Sequence, residues 1–169
     1  ADFVTLSENF TDLSKVKLAY VGDGNNVSNS LMIMAAIIGV DFTLACPQGH
    51  GPDAMMFAKA QTLAQESGAK LTLVSDMNDL GQQDVIYTDT WVSMGDDTKV
   101  SDILEKFMPF QVNHELMAKA DAKVVMHCQP AHLEQEISTE LFDSDFCVAF
   151  EQAENRMWAQ NAVLVNLIY

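Results

Sequence analysis

Short apolar runs rich in β-branched residues alternate with longer helical patterns along most of this chain, and this alternation constrains its fold more than any other feature. Apolar residues recurring at i, i+3, i+4 and i+7 predict helices at 26–38, 53–66, 98–110, 113–120 and 155–168. The runs between them predict strands at 17–21, 41–45, 70–74, 84–88, 123–126 and a short sixth at 147–150. Such alternation builds a parallel sheet with helices on both faces. We therefore expect one α/β domain over 1–169, a three-layer, doubly wound, Rossmann-like fold with a mainly parallel sheet.

Composition excludes several classes of partner. The 169 residues include 24 Asp and Glu against nine Lys and Arg, which gives a net charge of -15. Nucleic acids and anionic membranes are bound by clustered Lys and Arg, so neither is expected as a partner. The longest apolar run, 31–40, is too short to span a bilayer, and the first residues do not resemble a signal peptide. Three widely spaced cysteines without a Cys-x-x-Cys pair fit a reducing cytoplasm.

Ligands of parallel α/β sheets bind beyond the carboxyl ends of the strands. That rule selects four polar segments, 22–26, 46–51, 89–95 and 127–132. The first, GDGNN, matches only half of a dinucleotide fingerprint, since Val27 stands where the third Gly would be. It is equally well a tight turn that places Asn26 at a helix N-terminus, where backbone N–H groups suit a carboxylate or a phosphate.

The other loops leave alternatives open. Asp89 could bind a cationic amine or could cap a turn. Cys128 could be a nucleophile, a polar contact or a small buried residue, and the bond before Pro130 could be cis. Arg156, the only arginine, could serve a ligand or pair with Glu151 or Glu154. A zinc site is a weak alternative, because the relevant side chains have no standard ligand spacing; they are Cys46, His50, His127, Cys128 and His132.

Together these segments resemble the C-terminal half of the ornithine carbamoyltransferases, in the aspartate/ornithine carbamoyltransferase family. The resemblance rests on GDGNN at 22–26, TDTWVSMG at 88–95, HCxP at 127–130 and AENR at 153–156, in that order and spacing. It covers nearly the whole chain and is specific in the last three motifs. The phosphate loop Ser-Thr-Arg-Thr of that family is not found in these residues.

The resemblance implies transfer of a carbamoyl group from carbamoyl phosphate to the δ-amine of L-ornithine, in a homotrimer of two-domain subunits. This chain would be the ornithine-binding domain alone, separated from its N-terminal carbamoyl-phosphate domain and inactive by itself. It would need no cofactor and no metal. Ornithine would be held by Asn26, Asp89, Ser93 and Met94, and carbamoyl phosphate by Cys128, Gln129 and Arg156. Cys128 and Arg156 would be the catalytic residues, with His127 and Pro130 supporting them.

Residue 129 departs from the family pattern, which usually has Leu between Cys and Pro, whereas this chain has Gln129. Family contacts at that residue use its backbone carbonyl, so the change is compatible with the same role. It leaves putrescine and acetylated ornithine as alternative amine substrates. Two further alternatives are a Rossmann-like module that binds a nucleotide through 22–26 and a non-catalytic domain that shares only the fold.

Overall fold

The computed structural model describes residues 1–91 and 100–168. Within them, five parallel strands form one sheet in the order β3-β2-β1-β4-β5. The strands are β1 (Lys17–Val21), β2 (Asp41–Ala45), β3 (Leu71–Val74), β4 (Val85–Thr88) and β5 (Val124–His127). The helices are α1 (Asp2–Asn9), α2 (Asn26–Ile38), α3 (Ala54–Ser67), α4 (Val100–Phe107), α5 (His114–Ala120), α6 (Thr139–Phe142) and α7 (Ala149–Ile168).

Helices cover both faces of this sheet, as the alternation of strands and helices predicts. Successive side chains of a strand point to opposite faces. Leu18 and Tyr20 of β1 therefore join a core with α1, α2 and α3, while Ala19 and Val21 join a second core with α5 and α6. The expected α/β, doubly wound, Rossmann-like class is confirmed, and the five strands expected at 17–126 agree with the structure to within one residue at each end.

Local sequence explains where several elements begin. Asp53 precedes α3, and its Oδ1 accepts hydrogen bonds from the N–H groups of Met55 and Met56, each at 2.9 Å. This is the expected N-cap, and it satisfies backbone donors that a helix leaves unpaired at its first turn. At α2 the cap is Asn25, whose Oδ1 accepts from Val27 and Ser28, so Asn26 is the first helical residue.

The strand expected at 147–150 is wrong. Cys147 makes only an isolated bridge to Val125, and Ala149 already begins α7. Four apolar residues cannot distinguish a buried strand from the start of a buried helix, and here tertiary packing selected the helix. As a result α7 begins six residues earlier than expected, which places Gln152 and Arg156 on one helix.

Two other helical expectations are corrected. The helix expected to continue to 110 ends at Phe107 and is followed by a 3₁₀ turn, Met108–Phe110, that contains Pro109; Thr98 lies outside the described residues. Helices α1 and α6 were not expected from the sequence.

The carboxyl-terminal half of α7 projects from the domain. The buried residues of α7 are confined to its first two turns, at Ala149, Gln152 and Asn155. Several large apolar side chains beyond them are exposed: Met157, Trp158, Val163, Leu164, Val165, Leu167 and Ile168. Among the described residues, no helix is both long enough and apolar enough to cross a membrane.

Candidate active site

Three neighbouring strands bring the candidate residues to one edge of the sheet. Strand β4 pairs with β1 on one side and with β5 on the other, with Thr88 opposite His127. The residues immediately after these two strands, Asp89 and Cys128, are therefore adjacent. The thiol of Cys128 donates a hydrogen bond to Oδ1 of Asp89, with Sγ 3.0 Å from the oxygen.

The carboxylate of Asp89 is buried and surrounded by donors. Besides the Cys128 thiol, it accepts a hydrogen bond from Nδ2 of Asn25 at 3.2 Å and one from the backbone N–H of Thr90 at 2.8 Å. Asn25 therefore joins the loop after β1 to the loop after β4 while it also caps α2. Asp89 is 7% exposed. Asp89 thus caps the turn after β4 and also places a carboxylate at the edge of the sheet.

The environment of Cys128 keeps its sulfur protonated. Burial, the hydrogen bond to Asp89 and the negative charge of Asp89 together raise the pKa of the Cys128 thiol to about 12. The thiolate is the nucleophilic form of cysteine. At neutral pH this side chain is therefore a hydrogen-bond donor rather than a nucleophile.

A cleft of about 920 Å³ opens beside this thiol, and we call it the Cys128 cleft. Its polar lining comes from α2, β4, the loop after β5 and α7, through Asn26, Tyr87, Cys128, Gln129, Gln152 and Arg156. His127 and Pro130 also line it. Six of the residues expected from sequence thus share one cleft and Asp89 contacts its thiol, whereas Ser93 and Met94 lie outside the described residues.

Arg156 is exposed at the mouth of the cleft. The alternative ion pair with Glu151 or Glu154 is not found among the described residues; Glu154 instead accepts a hydrogen bond from Nε1 of Trp158 at 3.1 Å. The only guanidinium of the chain therefore faces the cleft without an acidic partner in the part that the structure describes.

Sequence reasoning missed two residues of the cleft floor, Gln152 and Tyr87. Oε1 of Gln152 accepts from the backbone N–H of His127 at 3.0 Å, and its Nε2 donates to the hydroxyl of Tyr87 at 3.0 Å. Gln152 lies one helical turn before Arg156, and residues four apart share a face of a helix. That spacing would have indicated Gln152 if the start of α7 had been placed correctly.

The GDGNN turn packs tightly against the loop after β2. A Cβ added to Gly24 would lie 2.1 Å from the carbonyl oxygen of Gly51, so only glycine fits there. Asp23 of the same turn lies 3.0 Å from Nδ1 of His50. The close-turn interpretation of this motif therefore describes the structure.

The residues of the weak zinc alternative do not assemble. Cys46 is buried in the core, and the buried His127 ring bonds to Glu136. Across residues 1–91 and 100–168, no group of three or more His, Cys, Asp or Glu side chains is arranged to hold a metal ion.

Comparison with known proteins decides the family. Residues 14–167 match the model of the aspartate/ornithine carbamoyltransferase family, Asp/Orn binding domain. The chain belongs to this family. Over 167 residues it is 54% identical to the ornithine carbamoyltransferase of Shewanella oneidensis, covering 99% of this chain and 56% of that protein.

Other ornithine carbamoyltransferases match this chain over a similar share of their length. The chain is 52% identical over 168 residues to the ornithine carbamoyltransferase of Moritella profunda, with the same coverage of 99% and 56%. The solved structure of the ornithine carbamoyltransferase from Pyrococcus furiosus superposes with a TM-score of 0.90 at 42% identity, over 96% of this chain and 53% of that one. The chain thus spans about half the length of the carbamoyltransferases that it matches.

Proposed function

We propose that this chain is the amino-acid-binding half of an ornithine carbamoyltransferase. In the complete enzyme a C–N bond forms between the δ-amine of L-ornithine and the carbamoyl carbon. The C–O bond to phosphate breaks and the amine loses a proton, giving L-citrulline and phosphate. The observation that carries this proposal is the contact between Cys128 and Asp89 beside a cleft that Asn26 and Arg156 share.

The family resemblance assigns the ornithine contacts, and the charges of the groups agree with it. Asp89 supplies a negative charge for the α-ammonium group, while Asn26 and the residues Ser93 and Met94 supply donors for the α-carboxylate. The side chain then extends towards Cys128, whose thiol donates to a carboxylate and whose sulfur remains a weak acceptor. With its pKa near 12 the thiol orients the amine and takes no covalent bond to the carbamoyl group.

Carbamoyl phosphate needs more positive charge than this chain provides. Among the described residues, Arg156 is the one Lys or Arg side chain that lines the Cys128 cleft. By the family resemblance, Gln129 contributes its backbone carbonyl. Phosphate sites usually combine several Arg or Lys donors. We therefore place the remaining cations on a second, carbamoyl-phosphate-binding domain and on a neighbouring subunit of a homotrimer.

The exposed apolar residues of α7 support a partner domain. Leu164, Leu167 and Ile168 are each more than half exposed, and apolar surface of this kind is usually covered in the complete protein. In this proposal the isolated chain forms no citrulline. The complete enzyme needs no cofactor and is cytoplasmic.

Most of the rate enhancement of carbamoyl transfer is assigned to the positioning of the two substrates. The attacking amine must be neutral, although a free alkylammonium has a pKa of about 10.4. A cleft closed between two domains orients the amine and helps it to lose its proton, while Arg156 stabilises the oxyanion that develops on the carbamoyl group.

A ligand titration followed by NMR tests this proposal on the chain itself. We expect L-ornithine at millimolar concentration to shift resonances around Asn26 and Cys128. Putrescine and N-acetyl-L-ornithine should cause smaller shifts because each lacks one charged α-group, and NAD should cause none. Asp89→Asn should abolish the shift, with Asp145→Asn, an exposed acid outside the cleft, as its control. Preference for NAD or for putrescine would contradict the proposal.

A further inference from the structure

Glu136 is a fully buried acid that the proposed chemistry does not use. It lies in the segment between β5 and α6, and its side chain is 0% exposed. One oxygen, Oε1, accepts hydrogen bonds from Nε2 of His127 at 3.1 Å and from the backbone N–H of His132. The other oxygen has no hydrogen-bond partner among the described residues. Burying a carboxylate is costly, so a chain that keeps one indicates a specific role.

Glu136 and the backbone of Gln129 together fix which nitrogen of His127 carries the proton. Nδ1 of His127 accepts a hydrogen bond from the backbone N–H of Gln129 at 2.9 Å, so it must be unprotonated. The ring proton is therefore on Nε2, which donates to Glu136. The imidazole thus donates from Nε2 to the Glu136 oxygen and accepts at Nδ1 from the backbone of Gln129.

That second hydrogen bond holds a strained residue. Gln129 has φ = 54°, in the left-handed region that a residue with a side chain disfavours. Such conformations persist where surrounding contacts determine them. Cys128 lies between the ring of His127 and the strained Gln129, so the direction of its thiol depends on this bond.

Glu136 is also connected to Asp89, the acceptor of the Cys128 thiol, through His132 and Thr90. The backbone of His132 bonds to Glu136, and Nδ1 of His132 lies 3.0 Å from Oγ1 of Thr90. Thr90 in turn donates its backbone N–H to Asp89. The loops that carry Cys128 and Asp89 are thus both connected to one buried carboxylate.

We propose that Glu136 is a positioning residue that, through the Nε2–H form of His127, presents the Cys128 thiol to Asp89 at the edge of the cleft. The assignment of a catalytic use to that thiol rests on the proposed function. Both hydrogen bonds need an acceptor oxygen at residue 136, which Gln also supplies, whereas the other oxygen of Glu136 lies 4.0 Å from Nδ1 of His132.

Substitutions at 136 separate the acceptor from the charge. Glu136→Gln keeps an acceptor oxygen and removes the charge, whereas Glu136→Met keeps the length and removes both. Glu140→Gln and Glu140→Met repeat the changes at an exposed acid in the first turn of α6. The readouts are the ¹⁵N resonances of the His127 ring and the rate at which iodoacetamide alkylates Cys128, located by peptide mass spectrometry.

In the unsubstituted chain at pH 7 we expect the Nε2–H form of His127. Glu136→Met should mix the two ring forms and raise the Cys128 alkylation rate about tenfold, the size expected for losing a hydrogen bond to a charged group. Glu136→Gln and both control variants should stay within about threefold of the starting rate, a change below about 1 kcal/mol.

An Nδ1–H or doubly protonated ring in the unsubstituted chain would overturn the proposal, and this measurement requires no variant to fold. A folded Glu136→Met chain with unchanged ring resonances and alkylation rate would also overturn it. If both readouts respond as expected but ornithine does not bind, the positioning role stands and the proposed function fails.

Discussion

Sγ of Cys128 lies 3.0 Å from Oδ1 of Asp89, although 39 residues separate them in the chain. The contact exists because β4 and β5 are neighbours in the sheet and both residues follow the ends of those strands. A thiol that donates to a buried carboxylate is a poor nucleophile and a well-oriented polar contact. The first two predictions test these two properties separately.

Replacing Cys128 should lower the activity of the complete enzyme without abolishing it. Cys128→Ser keeps a donor for Asp89, while Cys128→Ala removes it and should cost about 1.5–3 kcal/mol of transition-state stabilisation. Steady-state kinetics measures both losses, with Cys147→Ser as the control away from the cleft. A stoichiometric carbamoyl adduct on Cys128, detected by mass spectrometry, would refute the non-covalent role.

The pH dependence of thiol alkylation should reveal the environment of Cys128. Since burial and Asp89 raise its pKa to about 12, its rate should still be rising at pH 10, where a free thiol with pKa ~8.5 has levelled off. Asp89→Asn removes a negative charge that disfavours the thiolate, so the pKa should fall and the rate at pH 8 should rise. A plateau near pH 9 in the unsubstituted chain would contradict this environment.

Gly24→Ala should damage both the turn after β1 and ligand binding. The added Cβ would meet the carbonyl oxygen of Gly51 at 2.1 Å, and relieving that clash by moving backbone should cost about 1–3 kcal/mol. Urea unfolding measures the loss. Gly51→Ala is the matched control, because its Cβ would meet nothing within 4 Å. Equal stability of the two variants would show that the turn relaxes freely.

Arg156→Gln should impair catalysis and leave folding intact. Arg156 is exposed and has no ion pair with the described acids, so the free energy of unfolding should change by less than about 0.5 kcal/mol. In the complete enzyme, kcat/KM for carbamoyl phosphate should fall by about 100-fold, as for the loss of a donor to a developing oxyanion. Lys59→Gln, on the exposed side of α3, provides a control for the lost charge. An unchanged kcat/KM would remove Arg156 from the site.

The α/β class, five strands and the four polar loops were all predictable from residue pattern, because periodicity and turn residues are local properties. The strand expected at 147–150 shows the limit of such patterns. Its apolar run is too short to reveal its conformation, and the error concealed Gln152, one turn before Arg156.

The sequence alone determined the layered architecture and, through its motifs, the family and the set of candidate residues. Only the tertiary structure decided that Asn25 and Cys128 share the carboxylate of Asp89, and that Glu136 lies beneath His127. The physical reason is that these contacts depend on which strands are neighbours and which side chains are enclosed between loops. The spacing of residues along the chain indicates neither the order of the strands in the sheet nor which side chains the loops enclose.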